Sequence, residues 1–299
     1  MSNFDLFRSF AAYYDAAQVL RGDYRPQIHL LVGFEAEYIR PSSIEIVRDM
    51  QEIYKFDFFV GSVHHVNAIP IDYDREMYER ALASCRGSSS TSGGGDGGGG
   101  VGVGGGGGSG EGNVTDEEAA LFERYFDHQY EMMTQLRPAV IAHFDLPRLM
   151  ARNPTRPVSS YGDAVWRKVL RNLQFLRSYN GLLEFSSASL RKGWDTPYPG
   201  ADICSVRVPC IHTPHTQADD EKAFISLDGR FTLSDDAHSC EQVGLNYART
   251  LEYVKSLGLT KLCYLEKLPM GEIAVDVLDA CAVRTMSIEE LEMEPFWTS

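Results

Sequence analysis

Basic charge is scarce in this 299-residue chain. Its 28 lysines and arginines face 42 aspartates and glutamates, giving a net charge of −14 and a pI near 5.0. A nucleic-acid-binding surface needs a basic footprint, so such a partner is excluded. A local basic pocket for a small ligand is still compatible with an acidic whole. No apolar run approaches the roughly 18 residues that span a bilayer. Residues 1–12 mix polar and aromatic side chains and do not read as a secretory leader. The six cysteines, Cys85, Cys204, Cys210, Cys240, Cys263 and Cys281, show no C-x-x-C spacing. These absences predict a soluble cytoplasmic protein with reduced thiols and no membrane partner.

What is present is apolar material for one large core or two smaller ones, since 43% of residues are hydrophobic and 11% aromatic. Periodicity predicts helices over 3–20, 42–54, 75–84, 115–136, 163–179 and 241–257. The helices at 42 and 115 open on S/T-x-x-E capping-box spacings, Ser42 with Glu45 and Thr115 with Glu118. Apolar runs predict strands over 28–34, 58–63, 139–142, 182–185, 231–234 and 262–266. Residues 270–299 are mixed, and their acidic stretch reads as a solvated face. Two segments break the alternation. Residues 87–112 are almost all glycine and serine, predicting a disordered insert, and no Lys-Ser/Thr follows at P-loop spacing. Residues 206–228 lack periodicity and predict an irregular insert; its His212 and His215 read as loop residues rather than a metal motif.

Strands alternating with helices predict an α/β fold with a parallel sheet or barrel. The residues that close the strands are Glu35, then His64 and His65, then His143, then Asp236 and His238, while Glu184 lies within the 182–185 strand. In a barrel of this kind the loops after the strands share one face, the face that carries active sites. Imidazoles and carboxylates converging there are ligands that suit zinc, manganese or iron. A lone histidine after a strand is more often a surface or hydrogen-bonded residue. Repetition at five strands is what points to a metal site.

The strings Gly33-Phe34-Glu35, Gly61-Ser62-Val63-His64-His65, His143-Phe144-Asp145, Glu184 with Arg191-Lys192, and Ser234-Asp235-Asp236-Ala237-His238 resemble motifs of the PHP (polymerase and histidinol phosphatase) superfamily. GSVHHVNAIPID, RNLQFL and TLSDDAH are similar to its fungal histidinol-phosphatase branch. The resemblance runs from about residue 28 to 266. It implies a single-domain, distorted seven-stranded (β/α) barrel over residues 1–299. It also implies two or three divalent metal ions (zinc, manganese or iron) and hydrolysis of L-histidinol phosphate in histidine biosynthesis. Within it, Glu35 matches a glutamate bridging two metals, completed at one site by His64 and His143. Asp236 and His238 match ligands of the other metals. Arg191 matches a basic residue suited to clamp the substrate phosphate, which a guanidinium can hold bidentately. Glu184 and His65 join the catalytic set, His65 facing substrate or supporting a ligand, and Asp145 is expected to orient an imidazole.

Some features depart from that pattern. The family's H-x-H-S and T-E-H motifs are not found, so the barrel is expected to be incomplete at the N terminus and turnover weak. Ser186 stands where the family usually has asparagine. Two alternatives follow: a PHP phosphoesterase acting on another small phosphate ester, or a PHP-like fragment that binds without turnover.

Overall fold

A computed structural model describes residues 3–86, 114–204, 224–268, 274, 276–294 and 296. The glycine-rich insert expected at 87–112 lies outside these residues, as does 206–223 of the second expected insert. The rest of that second segment is ordered: Phe224–Leu227 is a 3-10 turn. Phe224 is fully buried, its ring 5.2 Å from that of Phe231. Regular structure thus returns before Arg230, because one aromatic anchors the turn to the sheet.

The helices are α1 (Asn3–Tyr24), α2 (Ser43–Ile53), α3 (Arg75–Ser84), α4 (Asp116–Leu136), α5 (Asp163–Ser178), α6 (Ala188–Arg191), α7 (Ala201–Cys204), α8 (Tyr247–Ser256) and α9 (Ile288–Met293). The strands are β1 (Gly33–Glu37), β2 (Phe58–Ser62), β3 (His65–Val66), β4 (Ile69–Pro70), β5 (Val140–Ile141), β6 (Leu182–Ser186), β7 (Arg230–Ser234), β8 (Lys261–Lys267), β9 (Val277–Leu278) and β10 (Cys281–Ser287). Five of them form one parallel sheet in chain order, β1-β2-β5-β6-β7. This is the progression of a wound (β/α) barrel, and it places every strand's C-terminal end on one face. The arrangement is distorted at its far side. There β8 lies against β7 but pairs with β10 in a separate antiparallel sheet, β8-β10-β9. None of the described helices is long and apolar enough to cross a membrane.

Helix faces and strand burial explain this layering. In α5 the buried residues Val165, Val169, Leu173 and Leu176 fall at helical spacing, as do Phe122, Phe126, Gln129 and Met133 in α4. All five residues of β6, Leu182-Leu183-Glu184-Phe185-Ser186, are buried, as a strand covered on both faces requires. A Cβ on Gly61 in β2 would meet Pro138 Cγ at 2.6 Å and Met132 Cε at 2.9 Å. Glycine therefore lets the end of α4 close onto the strand three residues before His64.

Several boundaries differ from the sequence expectation. The strand expected at 28–34 forms at Gly33–Glu37, because its partner strand begins only at Phe58, opposite Gly33. Upstream, Val32 N–H donates to the Asp57 carboxylate at 2.7 Å instead. Ser42 makes no capping bond; Ser43 Oγ accepts from the backbone of Ile39 and Arg40. Thr115 does cap α4, accepting from Glu118 N–H, while the Glu118 carboxylate accepts from Arg152 N–H at 2.9 Å. The helix expected at 241–257 begins at Tyr247, after Asn246 takes a left-handed backbone. Residues 277–293 form β9, β10 and α9, and the acidic residues Glu289, Glu290, Glu292 and Glu294 are exposed, as expected of a solvated face. Cys204, Cys240, Cys263 and Cys281 carry free thiols.

Candidate metal centre

The C-terminal ends of β1, β2 and β5 bring three predicted ligands together. Glu35 comes from within β1, His64 follows β2 by two residues, and His143 follows β5 by two. His64 Nε2 lies 3.1 Å from His143 Nε2. Glu35 Oε1 is 3.7 Å from His64 Nε2 and 3.3 Å from His143 Nε2. Two imidazole nitrogens and a carboxylate oxygen thus share one small volume. Ligand atoms about 2.0–2.1 Å from a tetrahedral ion would stand about 3.3 Å apart. The observed triangle fits that spacing, and its donor set fits a first-row divalent ion.

The backbone behind the triangle is held by buried polar contacts. His143 has φ of +22°, a sparsely populated conformation for a residue with a side chain. Its N–H donates to Glu184 Oε2 at 2.7 Å. Burial raises the Glu184 pKa, against the opposing charge and N–H of His143. Glu184 therefore reaches the centre by fixing the backbone of a ligand. From the other side, Gln129 Nε2 donates to Phe144 O at 3.1 Å. Asn172 Nδ2 in turn donates to Gln129 Oε1 at 3.0 Å and to Phe126 O at 2.8 Å. Asn172 is the buried polar residue of the string RNLQFL, and this ladder from α5 through α4 to the loop that carries His143 gives it a role.

Glu37 stands behind the triangle rather than in it. It lies 3.6 Å from His64 Nδ1 and in closer contact with His65 Nδ1. A carboxylate near one ring nitrogen favours the proton there and so leaves the lone pair on the other, which faces the shared volume. The signal was present in Glu35-Ala36-Glu37: residues two apart on a strand project to the same face. His65 begins the short hairpin β3–β4, pairs with Glu37, and does not line the cavity beside the triangle.

That cavity, about 360 Å³, also reaches Asp236, His238, Arg191 and Lys192. Asp236 and His238 share the cavity but stand outside the ligand triangle. Asp236 has a left-handed backbone with φ of +51°, and His238 Nδ1 sits 2.8 Å from the Asp236 carbonyl. That contact makes Nδ1 the donor and leaves the lone pair on Nε2. Arg191 donates through Nη1 to Asp235 O at 2.9 Å and through Nη2 to Asp236 O at 3.0 Å. It holds the loop after β7 with those two N–H groups and keeps others for the cavity. Asp145 orients no imidazole here: it accepts from Arg148 Nη1 at 2.5 Å and from Gly200 N–H at 2.9 Å. Ser186 is fully buried, its backbone paired with that of Tyr198.

The triangle is electrostatically coupled. Burial by itself would raise Glu35, but His143 and His64 outweigh it and hold the carboxyl at about 2. Burial by itself would lower His143; Glu35, with help from Glu184 and Asp236, carries it up to about 9. Burial would likewise raise Glu37, which His64 and His65 bring down to about 2. The stability that follows has a definite pH window in the metal-free protein. The raised His143 contributes fully below its ordinary 6.5, and the contribution is lost as pH rises through about 9. The lowered Glu35 and Glu37 contribute above their ordinary 4.5, and that is lost as pH falls through about 2.

A metal ion must take the His143 lone pair that a proton holds near neutral pH. Binding zinc at pH 7 is therefore expected to release about one proton from His143. Apparent affinity should rise about tenfold per pH unit from pH 7 to 9 and then level off. Titration calorimetry in buffers of different ionisation enthalpy reads this directly. A binding heat independent of the buffer would contradict it.

No family model matches the chain. Curated relatives do. It is 36% identical over 267 residues, 89% of this chain and 72% of the other, to a Schizosaccharomyces pombe protein named "Probable histidinol-phosphatase". It is 29% identical over 320 residues, 97% of this chain and 79% of the other, to the histidinol-phosphatase of Saccharomyces cerevisiae. Among solved structures it resembles the histidinol phosphate phosphatase of Lactococcus lactis, complexed with zinc, L-histidinol and phosphate. That match has a TM-score of 0.54 and 14% identity, covering 85% of this chain and 76% of the other. A Listeria monocytogenes structure gives the same TM-score at 16% identity, covering 80% of this chain and 74% of the other.

Proposed function

This chain belongs to the histidinol-phosphatase family, a branch of the PHP superfamily, and from that premise we propose that it hydrolyses L-histidinol phosphate to L-histidinol and phosphate. The observation that carries the reading is the Glu35–His64–His143 triangle, with ligand atoms 3.1–3.7 Å apart on one cavity wall. We assign a first divalent ion to that triangle, zinc being the first choice, and one or two further ions to Asp236 and His238 with Glu35 shared. A divalent ion in such a site lowers the pKa of a bound water and polarises a phosphoryl oxygen.

The chain's own residues supply the rest. Arg191 and Lys192 place positive charge on the same wall, where they offset charge building on the equatorial phosphoryl oxygens. Arg191 also fixes the loop that presents Asp236. Glu184 and Glu37 are positioning residues: one holds the backbone of His143 and the other the ring of His64. No side-chain nucleophile is needed, since water in line with the leaving oxygen completes the displacement. The residues concerned run from β1 to the loop after β7, so we treat residues 1–299 as one domain.

The test is phosphate release from L-histidinol phosphate by the zinc- or manganese-loaded chain, with glycerol phosphate as comparator. Preferential release from the first substrate supports the reading. Release no faster than with metal alone would overturn it.

A further inference from the structure

Three carboxylates line the cavity of the candidate centre: Glu35, Asp236 and Asp72. The first two are engaged. Glu35 faces His64 and His143, and Asp236 stands 3.9 Å from Arg191 and 3.8 Å from His238. Asp72 has no hydrogen-bond or ion-pair partner among the described residues. Its acidic neighbour Asp74 has a structural task, accepting the Met77 N–H at 2.8 Å to cap α3. Asp72 has none.

The backbone nevertheless holds Asp72 beside the centre. The hairpin that starts at His65 turns through residues 67 and 68, both with positive φ, and returns along β4. The fully buried Ile71 then donates its N–H to the carbonyl of His64 at 2.9 Å. The residue after Ile71 is thus tied, one hydrogen bond away, to the metal-ligand candidate His64. Tyr198, fully buried, is also on the cavity wall. Its hydroxyl has no hydrogen-bond partner among the described residues. Asp72 and Tyr198 thus line one cavity. The Trp194 ring lies 5.3 Å from that of Tyr198, tilted at 54°.

A half-buried carboxylate without a partner, beside an unsatisfied hydroxyl and an aromatic ring, is suited to a cation with N–H donors. The cavity is then bipolar, with Arg191 and Lys192 for an anion and Asp72 for a cation. We propose that Asp72 binds the primary ammonium group of the substrate, with Tyr198 beside it, and so sets the preference for aminated phosphate esters. This deepens the reading of the chain as a histidinol phosphatase and rests on it.

The test compares equilibrium binding of L-histidinol and of 4-(3-hydroxypropyl)imidazole, which lacks the amine, to the zinc-loaded full chain. The wild type should favour L-histidinol. Asp72→Asn, nearly isosteric, should weaken L-histidinol roughly 10- to 100-fold, the worth of a hydrogen bond to a charged group. Binding of the des-amino alcohol should stay unchanged. Equal weakening of both ligands, no weakening of either, or no binding to the wild type would overturn the assignment. Phosphate release is read separately. Turnover without an Asp72-dependent amine preference sinks the inference alone, whereas amine-selective binding without turnover sinks the hydrolase reading alone.

Discussion

Glu35→Gln is expected to lower kcat/KM for L-histidinol phosphate by about a thousandfold or more, the loss of several kcal/mol of transition-state stabilisation. The amide keeps the size of the carboxylate but offers a weaker neutral oxygen. Glu35 lies 3.3 Å from His143 and 3.7 Å from His64, so it is the anionic corner of the triangle. Without it, two neutral imidazoles would face a divalent ion with no carboxylate left in the triangle to offset its charge. Metal analysis after dialysis should show at least one equivalent lost relative to the wild type. Fold should survive, because the side chain is 40% exposed and β1 is held to β2 through backbone pairing. The variant also loses the anion that lifts His143 to about 9, so proton release on metal binding at pH 7 should shrink. Full activity with a full metal complement would remove Glu35 from the centre.

Asp145→Ala is expected to be the most damaging single change to stability, costing about 3–5 kcal/mol, the usual loss when one partner of a buried ion pair is removed. Asp145 is fully buried and Arg148 4% exposed. The pair meets at 2.5 Å, and Asp145 also takes the Gly200 N–H. Gly200 packs so closely that a Cβ there would sit 2.5 Å from Arg148 Nη1. Arg148 also donates to Pro154 O at 3.0 Å and lies over the Trp194 ring at 4.9 Å. Removing the carboxylate leaves a buried guanidinium without its counter-ion in a packed corner. Denaturant unfolding measures the cost. A joint replacement, Asp145→Leu with Arg148→Met, should recover much of it, since no unpaired charge then remains. Zinc affinity of the folded fraction should be nearly unchanged. Unaltered stability with lost zinc binding would instead assign Asp145 the role of orienting an imidazole.

The contrast between these residues shows what can be read from a linear chain. Glu35, His64 and His143 were legible because each closes an apolar strand, and parallel strands deliver their C-terminal ends to one face. Asp236 and His238 were legible on the same ground, and they reach the same cavity. Asp145 follows a ligand histidine by two residues, which suggested a partner for an imidazole. Its backbone instead enters a 3-10 turn, Leu146–Met150, and the side chain meets Arg148 one turn on. Glu184 lies inside a strand, and that it accepts the backbone N–H of His143 is visible only in the fold. Local spacing does not say which way a buried carboxylate's partners approach.

The amino-acid sequence by itself determined the α/β alternation, the strand-end ligand candidates and the family, since these rest on periodicity and on short strings of residues. The tertiary structure alone decided the division of labour. It placed Nε2 of His64 against Nε2 of His143 across 79 residues of chain, and set Asn172 and Gln129 behind Phe144. It also folded the hairpin that puts Asp72 on the cavity wall without a partner among the described residues. The physical reason is one of range. Backbone geometry and hydrophobic period act over a few residues. A hydrogen bond or an ion pair forms between whichever groups the packed chain brings within about 3–4 Å.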